Sequence, residues 1–273
     1  MQGSHIVVPR LSADGDAYTL QNPNRRVVFV IPFGDRYSLI GTTDVPYEGD
    51  PADVRISSDE VAYLCESVNR CFIRSIDPAN VLWSFAGVRA LRDDHSSAPS
   101  AVTRDYELER MEDGAPLLSV IGGKITTYRR LAEAVLAKLH PFIGGSPTRW
   151  TSTASLPGGD IPRGDFEGFV AESQRRWPFL PPRTIRRLAH SYGTLTERII
   201  GPARSIADLG ESFGATLTTA EVDYLRVREW APTAEDVLWR RSKLGIESSR
   251  EEEERLRKYL TPRADMPHRR VTG

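Results

Sequence analysis

Leu117-Leu118-Ser119-Val120-Ile121-Gly122-Gly123-Lys124-Ile125-Thr126-Thr127-Tyr128-Arg129 carries an apolar strand into a Gly-Gly turn and the turn into a helix. The first amides of such a helix have no partner within it and carry partial positive charge. Glycine lets another molecule approach the backbone, and Lys124 adds a full charge beside it. The pattern suits an anion, either a phosphate or the pyrimidine edge of a reduced flavin. Read locally, the same residues are equally a buried strand followed by a glycine-permitted turn, because short glycine motifs recur without function.

Upstream of this stretch the chain reads as β, then helix, then β. Ile6-Val7-Val8 is a short apolar run. Val27-Val28-Phe29-Val30-Ile31-Pro32 and Tyr37-Ser38-Leu39-Ile40-Gly41-Thr42-Thr43 flank Phe33-Gly34-Asp35-Arg36, the signature of an antiparallel hairpin. Residues 57–74 show helical periodicity through Val61, Leu64, Cys65, Val68 and Phe72, opened by a Ser57/Glu60 capping box. A second β section runs from Val81-Leu82-Trp83-Ser84-Phe85-Ala86-Gly87-Val88-Arg89 to the strand at 117–121. A helix over 126–140 follows.

Downstream the composition changes at Phe142-Ile143-Gly144-Gly145-Ser146-Pro147, which reads as a linker. Helices are expected near 163–176, 183–192, 218–230, 233–244 and 248–260. Thr218/Glu221, Thr233/Asp236 and Ser248/Glu251 serve as capping pairs, and Gly245 as a stop. Trp230 and Trp239 read as core of this region. The arginines at 175, 176, 183, 186 and 187 read as a solvated helix surface rather than a nucleic-acid face, since acidic residues are interspersed. The expected fold class is therefore α+β: a mixed, largely antiparallel β region over 1–145, a helical domain over 146–260, and a flexible tail over 261–273.

The 36 basic and 37 acidic side chains nearly cancel. That balance argues against a general nucleic-acid binder. The two cysteines, Cys65 and Cys71, are not spaced to pair on a helix, and no zinc-ligand spacing occurs. Their usage fits a reducing compartment. No apolar run approaches the roughly 18 residues of a membrane span.

Four basic residues sit in or beside β-rich segments: His5, Arg89, Arg104 and Lys124. Each alone reads as an ordinary surface or structural residue. Converged in one cleft, they would hold a phosphorylated substrate and stabilise a negative oxygen. Several stretches around them resemble the FAD-dependent, quinone-linked glycerol-3-phosphate dehydrogenases: Gly3-Ser4-His5-Ile6-Val7-Val8-Pro9-Arg10, Leu39-Ile40-Gly41-Thr42-Thr43-Asp44, Ser84-Phe85-Ala86-Gly87-Val88-Arg89, Thr103-Arg104-Asp105-Tyr106 and the 122–129 motif. In the helical region the resemblance continues through Leu156-Pro157-Gly158-Gly159, Ser205-Ile206-Ala207-Asp208-Leu209-Gly210 and Ala234-Glu235-Asp236-Val237-Leu238-Trp239-Arg240-Arg241-Ser242-Lys243-Leu244-Gly245. It covers about residues 3–260. The opening G-x-G-x-x-G of that family, which grips the FAD pyrophosphate, has no counterpart: no two of the 21 glycines lie two apart.

The resemblance implies the C-terminal part of an enzyme oxidising sn-glycerol 3-phosphate to dihydroxyacetone phosphate, with hydride passing to flavin and electrons to quinone. It implies His5 as general base for the C2 hydroxyl and Arg89 beside the developing oxygen, although the two could exchange roles. Arg104 and Lys124 would bind the phosphate, and Gly122, Gly123, Lys124, Ile125 and Thr126 would meet the flavin of FAD. Thr42, Thr43 and Asp44 read equally as a turn or as part of the site. The expectation is that the isolated chain is inactive and needs an N-terminal FAD-binding partner. It would be cytoplasmic, with a peripheral contact on the inner face of the cytoplasmic membrane. The alternative is a non-enzymatic binding or assembly module derived from the same family. A flavin amine oxidase is disfavoured by the matches in the helical region.

Overall fold

A computed structural model describes residues 1–89, 105–111, 114–145 and 148–261. The chain forms two compact units, Met1–Ser152 and Thr153–Gly273.

The first unit is built on a five-stranded sheet of β1 (Gln2–Pro9), β2 (Tyr18–Gln21), β3 (Val27–Phe33), β4 (Tyr37–Gly41) and β5 (Trp83–Val88), in the order β2-β3-β4-β1-β5. Every pairing is antiparallel. Strand alternation divides the side chains between two faces. One face buries Ile6, Val8, Leu20, Val28, Val30 and Ile40 against Leu64, Cys65 and Val68 of α1 (Ser58–Asn69). The Ser57/Glu60 capping box opens α1 as expected. The other face carries Gly3, His5 and Val7 in register with Gly87, Phe85 and Trp83 of β5, and His5 and Val7 with Gly41 and Leu39 of β4.

A separate hairpin follows, β6 (Tyr106–Met111) with β7 (Leu117–Gly122). Gly122 (φ 72°) and Gly123 (φ 96°) take the left-handed turn that the opening motif needs. The chain then runs through a short 3-10 helix, Ile125–Thr127, into α2 (Tyr128–Ile143). The strand–turn–helix reading thus holds, with a 3-10 turn where the sequence predicted the first turn of the α-helix.

The second unit is helical: α3 (Phe166–Arg176), α4 (Pro182–Tyr192), α5 (Thr196–Ile200), α6 (Thr219–Arg228), a π-helical turn over Asp236–Arg241, and α7 (Arg250–Leu260). Its core gathers Trp177, Leu180, Ile185, Leu188, Phe213, Leu217, Val222, Leu225, Val237, Leu238 and Leu256.

Several sequence expectations are corrected here. Thr218 makes no side-chain cap bond. Its supposed partner Glu221 is 1 % exposed and receives both Arg187 terminal nitrogens (2.7 and 2.6 Å) and the Tyr192 hydroxyl (2.8 Å). Arg187 therefore leaves the solvated arginine row, because a buried carboxylate captures it. The other four arginines do pair at the surface, with Glu172, Glu197, Glu247 and Glu167. The cap of α7 is Ser249 with Glu252, one residue later than Ser248/Glu251. Thr233 and Asp236 do exchange the expected bonds. The left-handed residue after the π turn is Lys243 rather than Gly245, which instead lies under Trp239. Trp239 packs against the core, whereas Trp230 is 86 % exposed: it follows the end of α6 at φ 52° and turns away. Among the described residues no helix is long and apolar enough to cross a membrane.

Candidate active site

His5 and Arg89 come together on the face of the sheet opposite α1. The His5 ring stacks on Phe85, its cross-strand partner, with centroids 5.0 Å apart and planes 8° apart. On its other side it lies over Gly41, its partner in β4: a methyl group there would stand 2.6 Å from Cγ and 2.7 Å from Nε2, so only glycine leaves room. The Arg89 guanidinium lies over Gly3, where a methyl would meet Nη2 at 2.6 Å. Positions 3 and 5 share a face about 7 Å apart along the strand. The imidazole and the guanidinium are therefore neighbours.

Arg89 is held from two directions. Its backbone N–H donates to the Met1 carbonyl (2.8 Å). Its guanidinium donates to the Asp44 carboxylate (2.8 Å) and to the Thr42 hydroxyl (3.1 Å). Burial is the larger influence on His5 and the Arg89 charge the second, and both push the imidazole pKa below its usual value. Its Nδ1 is buried with no hydrogen-bond partner among the described residues. Both effects disfavour the imidazolium, so His5 is neutral at physiological pH, and in the tautomer protonated at Nδ1 its Nε2 has a lone pair to offer.

Below the sheet lies a second polar group. Glu60, buried in the first turn of α1, accepts from the Thr43 hydroxyl (2.6 Å), the Ser4 hydroxyl (2.8 Å), the Gln2 amide (2.9 Å) and the Ser57 backbone N–H (2.9 Å). Burial raises the Glu60 pKa, but these hydrogen bonds outweigh it and the net shift is downward, so the carboxylate stays charged.

Lys124 precedes the 3-10 turn; it is exposed and shares no hydrogen bond or ion pair with His5 or Arg89 among the described residues. Ile125 (90 % exposed) and Thr126 leave the turn open, and no side chain caps it. The amides that open such a turn suit an anion. Arg104 lies outside the described residues. The sequence leaves Thr42, Thr43 and Asp44 equally a turn or part of the site, and Asp44 and Thr42 meet Arg89. Glu60 has no site signal in the sequence, because the Ser57/Glu60 spacing accounts for it as a cap.

A family model described as FAD dependent oxidoreductase matches residues 1–129, and one described as the C-terminal domain of alpha-glycerophosphate oxidase matches 149–262. The glycerol-3-phosphate dehydrogenase of Pseudomonas aeruginosa is 48 % identical over 271 residues, covering 98 % of this chain and 52 % of the relative. The aerobic glycerol-3-phosphate dehydrogenase of Escherichia coli is 45 % identical over 262 residues, covering 95 % of this chain and 52 % of the relative. Together these matches mark an FAD-dependent glycerol-3-phosphate dehydrogenase-like chain. It spans about half the length of the curated relatives it matches. The D-erythritol 1-phosphate dehydrogenase of Brucella abortus is also 44 % identical, over 247 residues that make up 89 % of this chain and 49 % of the relative. A crystal structure of the Bacillus halodurans glycerol-3-phosphate dehydrogenase complexed with FAD superposes with a TM-score of 0.73. It covers 95 % of this chain and 55 % of that one at 23 % identity, a likeness of fold. The α+β architecture and the FAD family expected from the sequence are thereby both borne out.

Proposed function

We propose that this chain supplies the substrate side of an active site that oxidises sn-glycerol 3-phosphate at C2 to dihydroxyacetone phosphate. The observation that carries the reading is the pairing of a neutral, stacked imidazole with a clamped guanidinium on one sheet face. His5 Nε2 accepts the proton of the C2 hydroxyl, and the Phe85 stack and the Gly41 gap hold the ring at one angle for it. Arg89 donates to the same oxygen as negative charge grows on it. Arg104 and Lys124 take the phosphate as cations.

The residues fit one part of FAD and not another. Gly122, Gly123, Lys124, Ile125 and Thr126 form an uncapped, left-handed turn suited to the anionic edge of the ring. No G-x-G is present to cradle the pyrophosphate. Bound FAD would supply the hydride acceptor. Turnover would then need a dinucleotide-binding part in addition to these 273 residues, with quinone as the final acceptor at a peripheral membrane contact.

The test is flavin reduction in the FAD-loaded protein, meaning this chain together with the dinucleotide-binding part, followed at the flavin absorption band after adding sn-glycerol 3-phosphate. D-erythritol 1-phosphate serves as the competing substrate. Reduction by glycerol 3-phosphate, lost at least 100-fold in His5→Ala, is expected. Reduction undiminished in His5→Ala overturns the assignment of the base. A higher kcat/KM for D-erythritol 1-phosphate overturns the assignment of the substrate.

A further inference from the structure

We propose that Glu60, on the far side of the sheet from His5, is a positioning residue for Arg89. It acts by fixing the extended segment Thr42-Thr43-Asp44. This inference rests on the reading of Arg89 given above.

The segment alternates. Thr42 and Asp44 turn toward the guanidinium and accept its hydrogen bonds, while Thr43 turns the other way and donates to Glu60 (2.6 Å). The Thr43 hydroxyl also accepts the Ser4 backbone N–H (2.9 Å), which ties the segment to β1. Beyond it, Gln2 and Val45 exchange backbone bonds (2.7 and 3.1 Å), while the Gln2 side chain donates to Glu60. Three successive residues therefore join the buried carboxylate to the site. A fixed Thr43 restricts where its two neighbours can stand.

The capping box accounts for only part of what Glu60 does. Its Oε2 serves the Ser57 backbone N–H and hydroxyl, as a helix cap does. Its Oε1 serves Thr43 and Ser4, which lie outside the helix. Among the described residues no cation pairs with Glu60, so hydrogen-bond donors alone sustain the charge. Every one of those donors is thereby drawn toward one point. A carboxylate is needed for this: a glutamine has one acceptor oxygen and would present N–H groups to hydroxyls and amides already donating.

Three variants separate the positioning role from the cap. Thr43→Val removes the link to the site and leaves the cap intact. Glu60→Gln removes the charge. Ser57→Ala breaks the cap and leaves Thr43 in place. Each is read in two ways: kcat and KM of the FAD-loaded protein with sn-glycerol 3-phosphate, and the NMR titration of His5, assigned by loss of its signal in His5→Gln. With Arg89 released, its charge no longer bears on the ring. In Thr43→Val and Glu60→Gln the His5 titration should move upward, and kcat should fall about tenfold or more with KM changed less. Ser57→Ala should lower the melting temperature and leave both readouts at wild type. An unmoved His5 titration and an unchanged kcat in Thr43→Val overturn the proposal, as does a Ser57→Ala variant as impaired as Thr43→Val. Absence of glycerol 3-phosphate turnover in the wild type would count against the function proposed above. The titration arm would still decide the role of Glu60.

Discussion

Replacing Gly41 with alanine should disable the site with little effect on the fold. A methyl group at this position would stand 2.6 Å from His5 Cγ and 2.7 Å from Nε2. Cδ2 would stand nearer still, and ordinary carbon contacts begin near 3.5 Å, so the ring has to retreat by more than about 1 Å. It cannot retreat toward β5 without losing the 5.0 Å stack on Phe85. A displacement of this size at a reacting group costs about 100-fold in rate, or about 2.7 kcal/mol on the barrier. The stability cost is smaller: about 1–3 kcal/mol for overpacking, partly offset by the entropy that alanine removes from the unfolded chain. A fall of a few degrees in melting temperature follows. The assay is steady-state oxidation of sn-glycerol 3-phosphate by the FAD-loaded protein with a dye acceptor, beside thermal melting. Gly15→Ala is the control, since a methyl there meets nothing within 4 Å. The decisive measurement is the double variant. If Gly41→Ala acts by displacing the ring, it should cost almost nothing further in a His5→Ala background, where the methyl has room. A Gly41→Ala enzyme within threefold of wild type, or costs that add in the double variant, would refute the reasoning.

Three other expectations follow from the geometry. Burial and Arg89 both hold the His5 pKa below its usual value, so the acid limb of kcat/KM should lie below pH 6.5, with activity retained at neutral pH and lost as pH falls. Arg89→Gln should move that limb upward, as read in a pH–rate profile. Glu221→Ala should destabilise the helical unit by about 3–5 kcal/mol, because it strands a largely buried Arg187, while Tyr192→Phe should cost about 1 kcal/mol; urea unfolding of the variants measures both. Trp230→Ala should leave the melting temperature within about a degree of wild type, and Trp177→Ala, buried in the core, should lower stability by about 3–5 kcal/mol.

Local pattern made most of the fold legible. The β3–β4 hairpin follows from Gly34-Asp35 between β-rich runs, and α1 from a capping box ahead of an apolar stripe. One misreading comes from a partner far away in sequence. Glu221 stands three residues from Thr218 and reads as its cap, yet Arg187 lies 34 residues upstream and offers a charged, bidentate partner that a threonine cannot match. The exposure of Trp230 depends on a positive φ that no tryptophan announces in sequence. In the site, His5 and Arg89 were singled out through the family resemblance, since a lone histidine before Ile-Val-Val has no signal of its own. Asp44 and Thr42 read equally as turn or site because their partner Arg89 is 45 and 47 residues further along the chain.

What brings these distant residues together is the register of β1 between β4 and β5. Odd-numbered β1 residues open onto the site and even-numbered ones onto α1, so a slip of one residue would bury His5 against Leu64 and expose Ile6. Hydrophobic pattern resists such a slip through Ile6 and Val8, but the first residues of the strand, Gln2-Gly3-Ser4, have no apolar side chain to anchor them. Their anchor is polar. Gln2 bridges to Val45, and the Gln2 and Ser4 side chains both end on Glu60. The charged group under the sheet thus does at the amino end of β1 what the core does at its centre: it selects one register. That register is what sets Gly3 beneath a guanidinium and Gly41 beneath an imidazole.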